Sequence, residues 1–140
     1  MKSKEQDNIL IIRLFPEEDI HERLKEACKK HSVITAVVLS GIGQVKHIQL
    51  GYFKEKGSYV VDTYHTPHEL LSLSGNICHQ GDEYLLHLHA VLGNAQKGTI
   101  GGHLVAGIVE VTNELVLLKT PIKITRKVEE TTGLSGMYIE

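Results

Sequence analysis

The feature that most constrains this chain is a series of short apolar segments, which begins at residue 33 and is interrupted repeatedly by Gly, Pro, Asn or Asp. Each segment is short and bounded by turn-forming residues, so each predicts a strand, and each interruption predicts a turn or loop. The predicted strands after this point are 33–40, 45–53, 59–64, 69–75, 84–92, 104–111, 115–119 and 122–128. An earlier apolar run, 8–14, predicts one more strand near the N-terminus.

Helical periodicity is found in one segment, from residue 19 to about residue 30. Its apolar residues follow the spacing i, i+4, i+7, i+8 and the opposite face is rich in Lys and Glu, which predicts an amphipathic helix. The apolar face consists of Ile20, Leu24, Ala27 and Cys28. Acidic residues at 17–19 precede it, where the helix dipole favours negative charge.

Two of the interruptions are predicted to be turns between strands. Gly41-Ile42-Gly43 follows the strand 33–40, and Asn113 suits a tight hairpin turn. The order strand, helix, strand and then a long series of strands predicts an α+β fold, with a mainly antiparallel sheet of about eight strands and one main helix.

Length and composition bound the class of protein. The 140 residues are enough for one domain with its own core, and we predict a single domain over 1–140 with flexible ends at 1–7 and 135–140. No stretch approaches the roughly 18 apolar residues of a membrane helix. The first residues lack the apolar segment of a signal peptide, so we expect a cytoplasmic location.

The charge balance bears on nucleic-acid binding. The chain has 15 Lys and Arg against 17 Asp and Glu, a net charge of −2. DNA-binding proteins neutralise phosphates with a basic surface, so the composition argues against direct DNA binding by a single chain. An oligomer could change this by gathering basic residues on one face, among them Lys46, Lys54, Lys56 and Arg126.

Nine histidines stand out in a chain with so few aromatic residues. In the predicted strand 84–92, strand alternation places His87 and His89 on one face. A short loop and a return strand would bring His103 beside them, and three neutral imidazoles with an open fourth position form a catalytic-type zinc site. The sequence therefore predicts a site for Zn²⁺, or for another divalent transition metal, at these three residues. The alternative is a polar sheet face whose histidines form local hydrogen bonds.

The remaining candidates for chemistry are weaker. His65 and His68 flank Thr66-Pro67 and are predicted to lie on an exposed loop. A metal-dependent enzyme would also need a general acid or base, for which Glu69 and Glu110 are the nearest candidates. Alternation places Glu110 on the opposite face from His103, so no catalytic residue is predicted.

Several stretches together resemble the plants-and-prokaryotes conserved (PPC) domain family. They extend over most of the chain, from about residue 9 to residue 134, and follow the order expected for the family. The stretches are VVLSGIGQV, GYF, HELLSLSGNI, HLHAVLG, GGHLVAGIVE and TGL. Bacterial and archaeal members resemble this chain in carrying H-x-H followed by GGH.

The resemblance implies a strongly curved antiparallel sheet with a single helix and assembly into a homotrimer. The chain resembles the bare prokaryotic type, since it lacks the Arg-Gly-Arg-Pro hook that plant members carry before the domain. Such members are often labelled DNA-binding by analogy. The resemblance also implies a partner-binding stretch, which corresponds here to Pro67, His68, Glu69 and Leu70, although plant members tend to carry an aromatic residue where His68 stands.

Two functional hypotheses follow. The first is an oligomeric zinc-binding module of PPC type with a small-molecule ligand or a regulatory, DNA-associated role. The alternative is a zinc-dependent lyase or hydrolase that uses the same three histidines. A fold-level similarity between the PPC domain and α-acetolactate decarboxylase, a zinc lyase with H-x-H and a third histidine, supports the metal site in both cases.

Overall fold

The computed structural model describes residues 1–140, which form nine strands and one helix. The predicted α+β fold with a mainly antiparallel sheet is confirmed. In chain order the elements are β1 (Lys2–Gln6), β2 (Ile9–Leu14), α1 (Ile20–Lys30), β3 (Thr35–Glu55), β4 (Ser58–Tyr64), β5 (His68–Gln80), β6 (Glu83–Gly93), β7 (Thr99–Thr120), β8 (Ile124–Val128) and β9 (Ser135–Ile139).

The strands of the main sheet run in the order β1-β2-β7-β6-β5-β3-β4, and β3 also pairs with β7. Strands β3, β5, β6 and β7 therefore form a closed ring of antiparallel pairs, which requires the sheet to curve back on itself. Strands β8 and β9 form a separate two-stranded sheet. The side chain of Gln80 at the end of β5 exchanges two hydrogen bonds with the backbone of Arg126, which attaches β8 to the main sheet.

Helix α1 packs its apolar face onto the core, as predicted. Asp19 is the N-cap, because its side chain accepts a hydrogen bond from the backbone N–H of Glu22 at 2.9 Å. Leu24 and Ala27 are fully buried in one cluster with residues from β2, β3, β5, β6 and β7. No helix is both long and apolar enough to cross a membrane. The cytoplasmic location expected from the sequence stays a prediction.

The two predicted turns are wrong, because both segments lie inside long strands. Gly41 and Gly43 belong to β3, and a Cβ atom on Gly41 would stand 2.6 Å from the Cβ of Leu73. Gly43 has a φ of +147°, and its Cβ would stand 1.9 Å from the carbonyl oxygen of Thr112. These glycines permit a close approach between strands and do not reverse the chain. Asn113, opposite Gly43 in β7, is fully buried.

Both chain ends contain strands. The segment 1–7 includes β1, which pairs with β2, and the segment 135–140 includes β9, which pairs with β8. Flexibility of these ends in solution stays a prediction.

Candidate metal centre

The three predicted histidines lie on two neighbouring strands. His87 and His89 are two residues apart on β6 and share a face, and His103 on β7 is the direct cross-strand partner of His89. The two glycines before His103 let β7 pass close to its neighbours. A Cβ atom on Gly101 would stand 2.9 Å from the carbonyl oxygen of Ala90, and one on Gly102 would stand 2.9 Å from that of Gly51. The two glycines of the GGH sequence are therefore needed where the strands approach closely, and His103 follows them directly.

The geometry of the three rings suits a single metal ion. One side-chain nitrogen from each ring can be chosen so that all three atoms lie within 4.8 Å of one another. The Nε2 atoms of His87 and His89 are 3.2 Å apart. Two nitrogens bound tetrahedrally to zinc at about 2.0–2.1 Å would be separated by about 3.3 Å. The donor set therefore fits a divalent transition metal with three histidine ligands. We refer to His87, His89 and His103 as the histidine triad.

The surroundings favour the neutral form of two of these rings. Burial lowers the pKa of His103 to about 4, with smaller contributions from the neighbouring histidines. Burial also lowers the pKa of His87, assisted by the positive charge of Arg126 and by His89. Since a metal ion binds only the unprotonated ring, these two residues are available as ligands at neutral pH.

The histidine triad forms part of the wall of a cavity of about 960 Å³. The other walls come from α1, β3, β4, β8, the segment before β9 and further residues of β6 and β7, which are far apart in the sequence. They include His21, Phe53, Tyr59, Leu85, Arg126 and Leu134. The ring of Tyr59 meets that of His103 edge-on, with centroids 6.4 Å apart. An ion held by the triad would thus have room for a small ligand beside it.

Sequence reasoning did not place two of the cavity residues, His21 and Arg126, beside the triad. His21 Nε2 lies 3.1 Å from the carbonyl oxygen of Leu104, so this nitrogen donates, and its buried Nδ1 has no hydrogen-bond partner. Arg126 is nine-tenths buried. Neither residue has a local sequence signal, because its position depends on the packing of α1 or β8 against the sheet.

The predicted partner-binding residues lie outside this cavity. His68 and Leu70 are buried, whereas Pro67 and Glu69 are exposed. The prediction that His68 lies on an exposed loop is wrong, because it begins β5 and its Nδ1 hydrogen-bonds the carbonyl oxygen of Thr66. Partner binding by this segment stays a prediction.

The two carboxylates considered as acid or base groups are used elsewhere. Glu69 accepts a hydrogen bond from Gln44 at 2.7 Å, and Glu110 forms an ion pair with Lys46 at 2.8 Å. Neither glutamate lines the cavity. Lys46 also pairs with Glu17, so its charge is largely neutralised, and the side chain of Arg126 is buried. Two of the four residues considered for a basic face are therefore not available for it.

Comparison with known proteins identifies relatives of the whole chain. The model of the Plants and Prokaryotes Conserved (PCC) domain, the PPC domain named above, matches residues 1–121. A PPC protein from Pyrococcus horikoshii is 31% identical, with a TM-score of 0.81, over 96% of this chain and 93% of that one. A protein from Archaeoglobus fulgidus, described as metal-containing, is 28% identical, with a TM-score of 0.84, over 96% and 95% of the two chains.

Two further similarities concern proteins with other descriptions. A Bacteroides thetaiotaomicron protein, provisionally described as DNA-binding, has a TM-score of 0.90 and 25% identity over 98% of this chain and 96% of its own. The bifunctional protein GlmU of a Synechococcus strain is 29% identical over 131 residues. These residues are 92% of this chain but 20% of that relative, so the present chain spans about a fifth of its length.

Proposed function

The chain belongs to the Plants and Prokaryotes Conserved domain family, and we propose that it is a zinc-binding module of that family whose metal ion faces a ligand cavity. The observation that carries this proposal is the convergence of His87, His89 and His103, whose nitrogens lie within 4.8 Å of one another. The metal-containing relative from Archaeoglobus fulgidus supports it.

Different residues of the cavity would hold the metal ion and contact the ligand. The histidine triad would hold the ion, and a bound Zn²⁺ would supply a Lewis acid with a position open to the cavity. Tyr59 limits the space around His103, and the apolar walls would exclude water from a bound ligand. We propose ligand binding ahead of lyase or hydrolase chemistry, because neither of the glutamates considered as an acid or base, Glu69 and Glu110, lines the cavity.

We also propose that the module is a homotrimer. Three neighbouring strands, β2, β7 and β3, present apolar side chains on the face of the sheet away from the helix. Ile11, Val37 and Leu39 are exposed there in the single chain, beside the half-buried Val116 and Leu118. Contiguous exposed apolar surface is typical of an interface between subunits. We call these five residues the outer apolar patch.

A regulatory, DNA-associated role, which the family resemblance implies, completes the proposal. The provisional description of the Bacteroides thetaiotaomicron relative supports it. Direct DNA contact by this chain is not part of the proposal, since the net charge is −2 and Lys46 is already paired with carboxylates.

Metal analysis of protein purified without a histidine tag tests the central proposal. We expect about one zinc ion per chain in the wild type, measured by inductively coupled plasma mass spectrometry, and a loss of most of it in His89→Ala and in His103→Ala. His65→Ala is the matched control, because His65 is exposed and lies outside the cavity. Equal zinc contents in all four proteins would contradict the proposal.

A further inference from the structure

Arg126 is a buried cation without an anionic partner. Its exposed fraction is 9%, and it takes part in none of the ion pairs of the structure. The guanidinium donates to two neutral acceptors, the Oδ1 of Asn76 and, at 3.3 Å, the carbonyl oxygen of Ser135. Burying an unpaired charge is costly, and buried charges are normally paired with an opposite charge. The structure therefore leaves room for an anion from outside the chain.

The position of Arg126 links it to the histidine triad. Asn76, which accepts a hydrogen bond from its guanidinium, lies on β5 directly opposite His87 on β6. Directly opposite residues of an antiparallel pair have Cβ atoms about 5 Å apart. Arg126 also lines the same cavity as the triad, and its charge contributes to the lowered pKa of His87. Arg126 and the proposed metal site thus share one cavity and are linked through Asn76.

The guanidinium keeps donors that could meet a ligand. An arginine has five N–H donors in a planar fork, and the two hydrogen bonds described above use two of them. The other charged groups that line the cavity, Lys25 and Glu83, do not pair with it. A planar fork matches the two oxygens of a carboxylate, with which a guanidinium often forms a bidentate pair.

Charge and shape together define the ligand. With neutral imidazoles, a divalent ion and Arg126 bring three positive charges to one end of the cavity, which an anion would offset. The remaining walls include Phe53, Leu85 and Leu134, which favour a hydrocarbon group. A ligand that satisfies all three features has a carboxylate for Arg126, a second oxygen that can face the metal ion, and an apolar body.

We propose that Arg126 binds the carboxylate of a small 2-hydroxy or 2-oxo acid whose adjacent oxygen faces the histidine triad and whose apolar body packs against Phe53, Leu85 and Leu134. This inference rests on the proposed zinc function for the second contact only. Arg126 is a specificity-determining residue in this arrangement, because it selects acids over the corresponding alcohols or ketones.

Three related probes separate the two contacts. Mandelate carries both a carboxylate and the adjacent hydroxyl group, phenylacetate lacks the hydroxyl group, and benzyl alcohol lacks the carboxylate. We expect isothermal titration calorimetry on the zinc-loaded protein to show mandelate binding at least tenfold more tightly than either of the others. Removal of zinc with a chelator should reduce the affinity for mandelate to that for phenylacetate. Inorganic phosphate, included as a plain anion, should bind more weakly than mandelate.

The variants test the arginine itself. Arg126→Gln should weaken the binding of mandelate and phenylacetate about tenfold or more, because only these two probes have a carboxylate. The affinity for benzyl alcohol should stay within twofold of the wild-type value. Lys127→Gln is the matched control, since it removes an exposed positive charge from the next position. Arg126→Lys keeps the charge without the planar fork, and is expected to be intermediate.

The outcomes distinguish the two proposals. If wild-type protein binds benzyl alcohol as tightly as mandelate, or if folded Arg126→Gln keeps full affinity for both acids, the arginine proposal is overturned. If Arg126→Gln fails to fold, the comparison of phenylacetate with benzyl alcohol on chelator-treated wild type and the Arg126→Lys variant decide the matter, because no metal ion is then present to hold the carboxylate. If zinc removal changes no affinity while Arg126→Gln weakens the acids, the carboxylate contact stands and the metal contact fails.

Discussion

His89 on β6 and His103 on β7 are directly opposite residues of one antiparallel pair, with ring centroids 5.4 Å apart. A metal ion held between them would tie two strands of the closed ring together. The ion would bind the folded chain and not the unfolded one, because only folding brings His103 beside β6.

Zinc should therefore stabilise the fold. With free zinc at about a hundredfold its dissociation constant, the free energy of unfolding should rise by about 2.7 kcal/mol relative to protein in chelator. Urea denaturation with and without zinc measures this difference. The rise should be absent in His89→Ala and intact in His65→Ala, and a similar rise in both variants would show that zinc acts elsewhere.

Gly75 controls the position of His87 and gives a second prediction. Its φ is +148°, and a Cβ atom there would stand 2.0 Å from the carbonyl oxygen of His87. Gly75→Ala should lower the free energy of unfolding by about 2 kcal/mol or more. It should also weaken zinc binding, because β6 must shift at His87 to make room for the new Cβ atom. Urea denaturation and zinc titration measure the two effects.

Gly81→Ala is the control that distinguishes the effect of a positive φ from the steric clash expected at Gly75. Gly81 also has a positive φ, +63°, but nothing lies within 4 Å of its Cβ position. Its substitution should lower the free energy of unfolding by about 1 kcal/mol and leave the zinc affinity unchanged. Equal effects of the two substitutions on zinc affinity would refute the role assigned to Gly75.

The histidine triad could be predicted from the sequence because it depends on local rules. Strand alternation fixes the relation of His87 to His89, and one short connection returns the chain to His103. The cavity could not be predicted in this way. His21 comes from α1 and Arg126 from β8, and both are placed by tertiary packing, which no local spacing encodes.

The predicted turns failed for a related reason. Glycine and asparagine are frequent in turns, and the local sequence does not distinguish a turn from a strand crossing where no side chain fits. Gly43 and Asn113 face each other across β3 and β7, so the residue types that suggested two turns belong to one close contact. The strands there are also much longer than the usual 3–10 residues.

Asn113 provides a third prediction, because its side chain is fully buried and neither its Oδ1 nor its Nδ2 has a hydrogen-bond partner. An unsatisfied buried amide costs about 1–3 kcal/mol. Asn113→Val should therefore raise the free energy of unfolding by about 1–2 kcal/mol, as measured by urea denaturation. Thr112→Val is the comparison, since Thr112 Oγ1 donates to the carbonyl oxygen of Leu14, and we expect it to lower stability by about 1 kcal/mol. A loss of stability in Asn113→Val would indicate that the amide is satisfied in solution.

The buried thiol of Cys28 predicts a loss of stability in alkali. Burial raises its pKa from 9.0 to about 12. Between these two values the unfolded chain releases a proton that the folded chain retains, so the free energy of unfolding falls as the pH rises from about 9 to 12. Urea denaturation over this range should show a shallower fall for Cys28→Ala than for the wild type, and identical slopes would contradict the shift. In native protein at pH 8, iodoacetamide should leave Cys28 unmodified.

Trimer formation should depend on the outer apolar patch and not on the metal site, which gives the last prediction. Leu39 is 53% exposed in the patch, and Val61 is 44% exposed on β4, at the edge of the sheet. Light scattering coupled to size-exclusion chromatography should show a trimer for the wild type and Val61→Asp and a monomer for Leu39→Asp, because a carboxylate would be buried in the proposed interface.

The zinc content of the monomeric variant carries the stronger test. All three ligands come from one chain, on β6 and β7, so Leu39→Asp should bind as much zinc per chain as the wild type. A monomer that loses its zinc would show that a neighbouring subunit completes the site. A wild-type protein that is itself monomeric would remove the trimer from the proposal and leave the metal site intact.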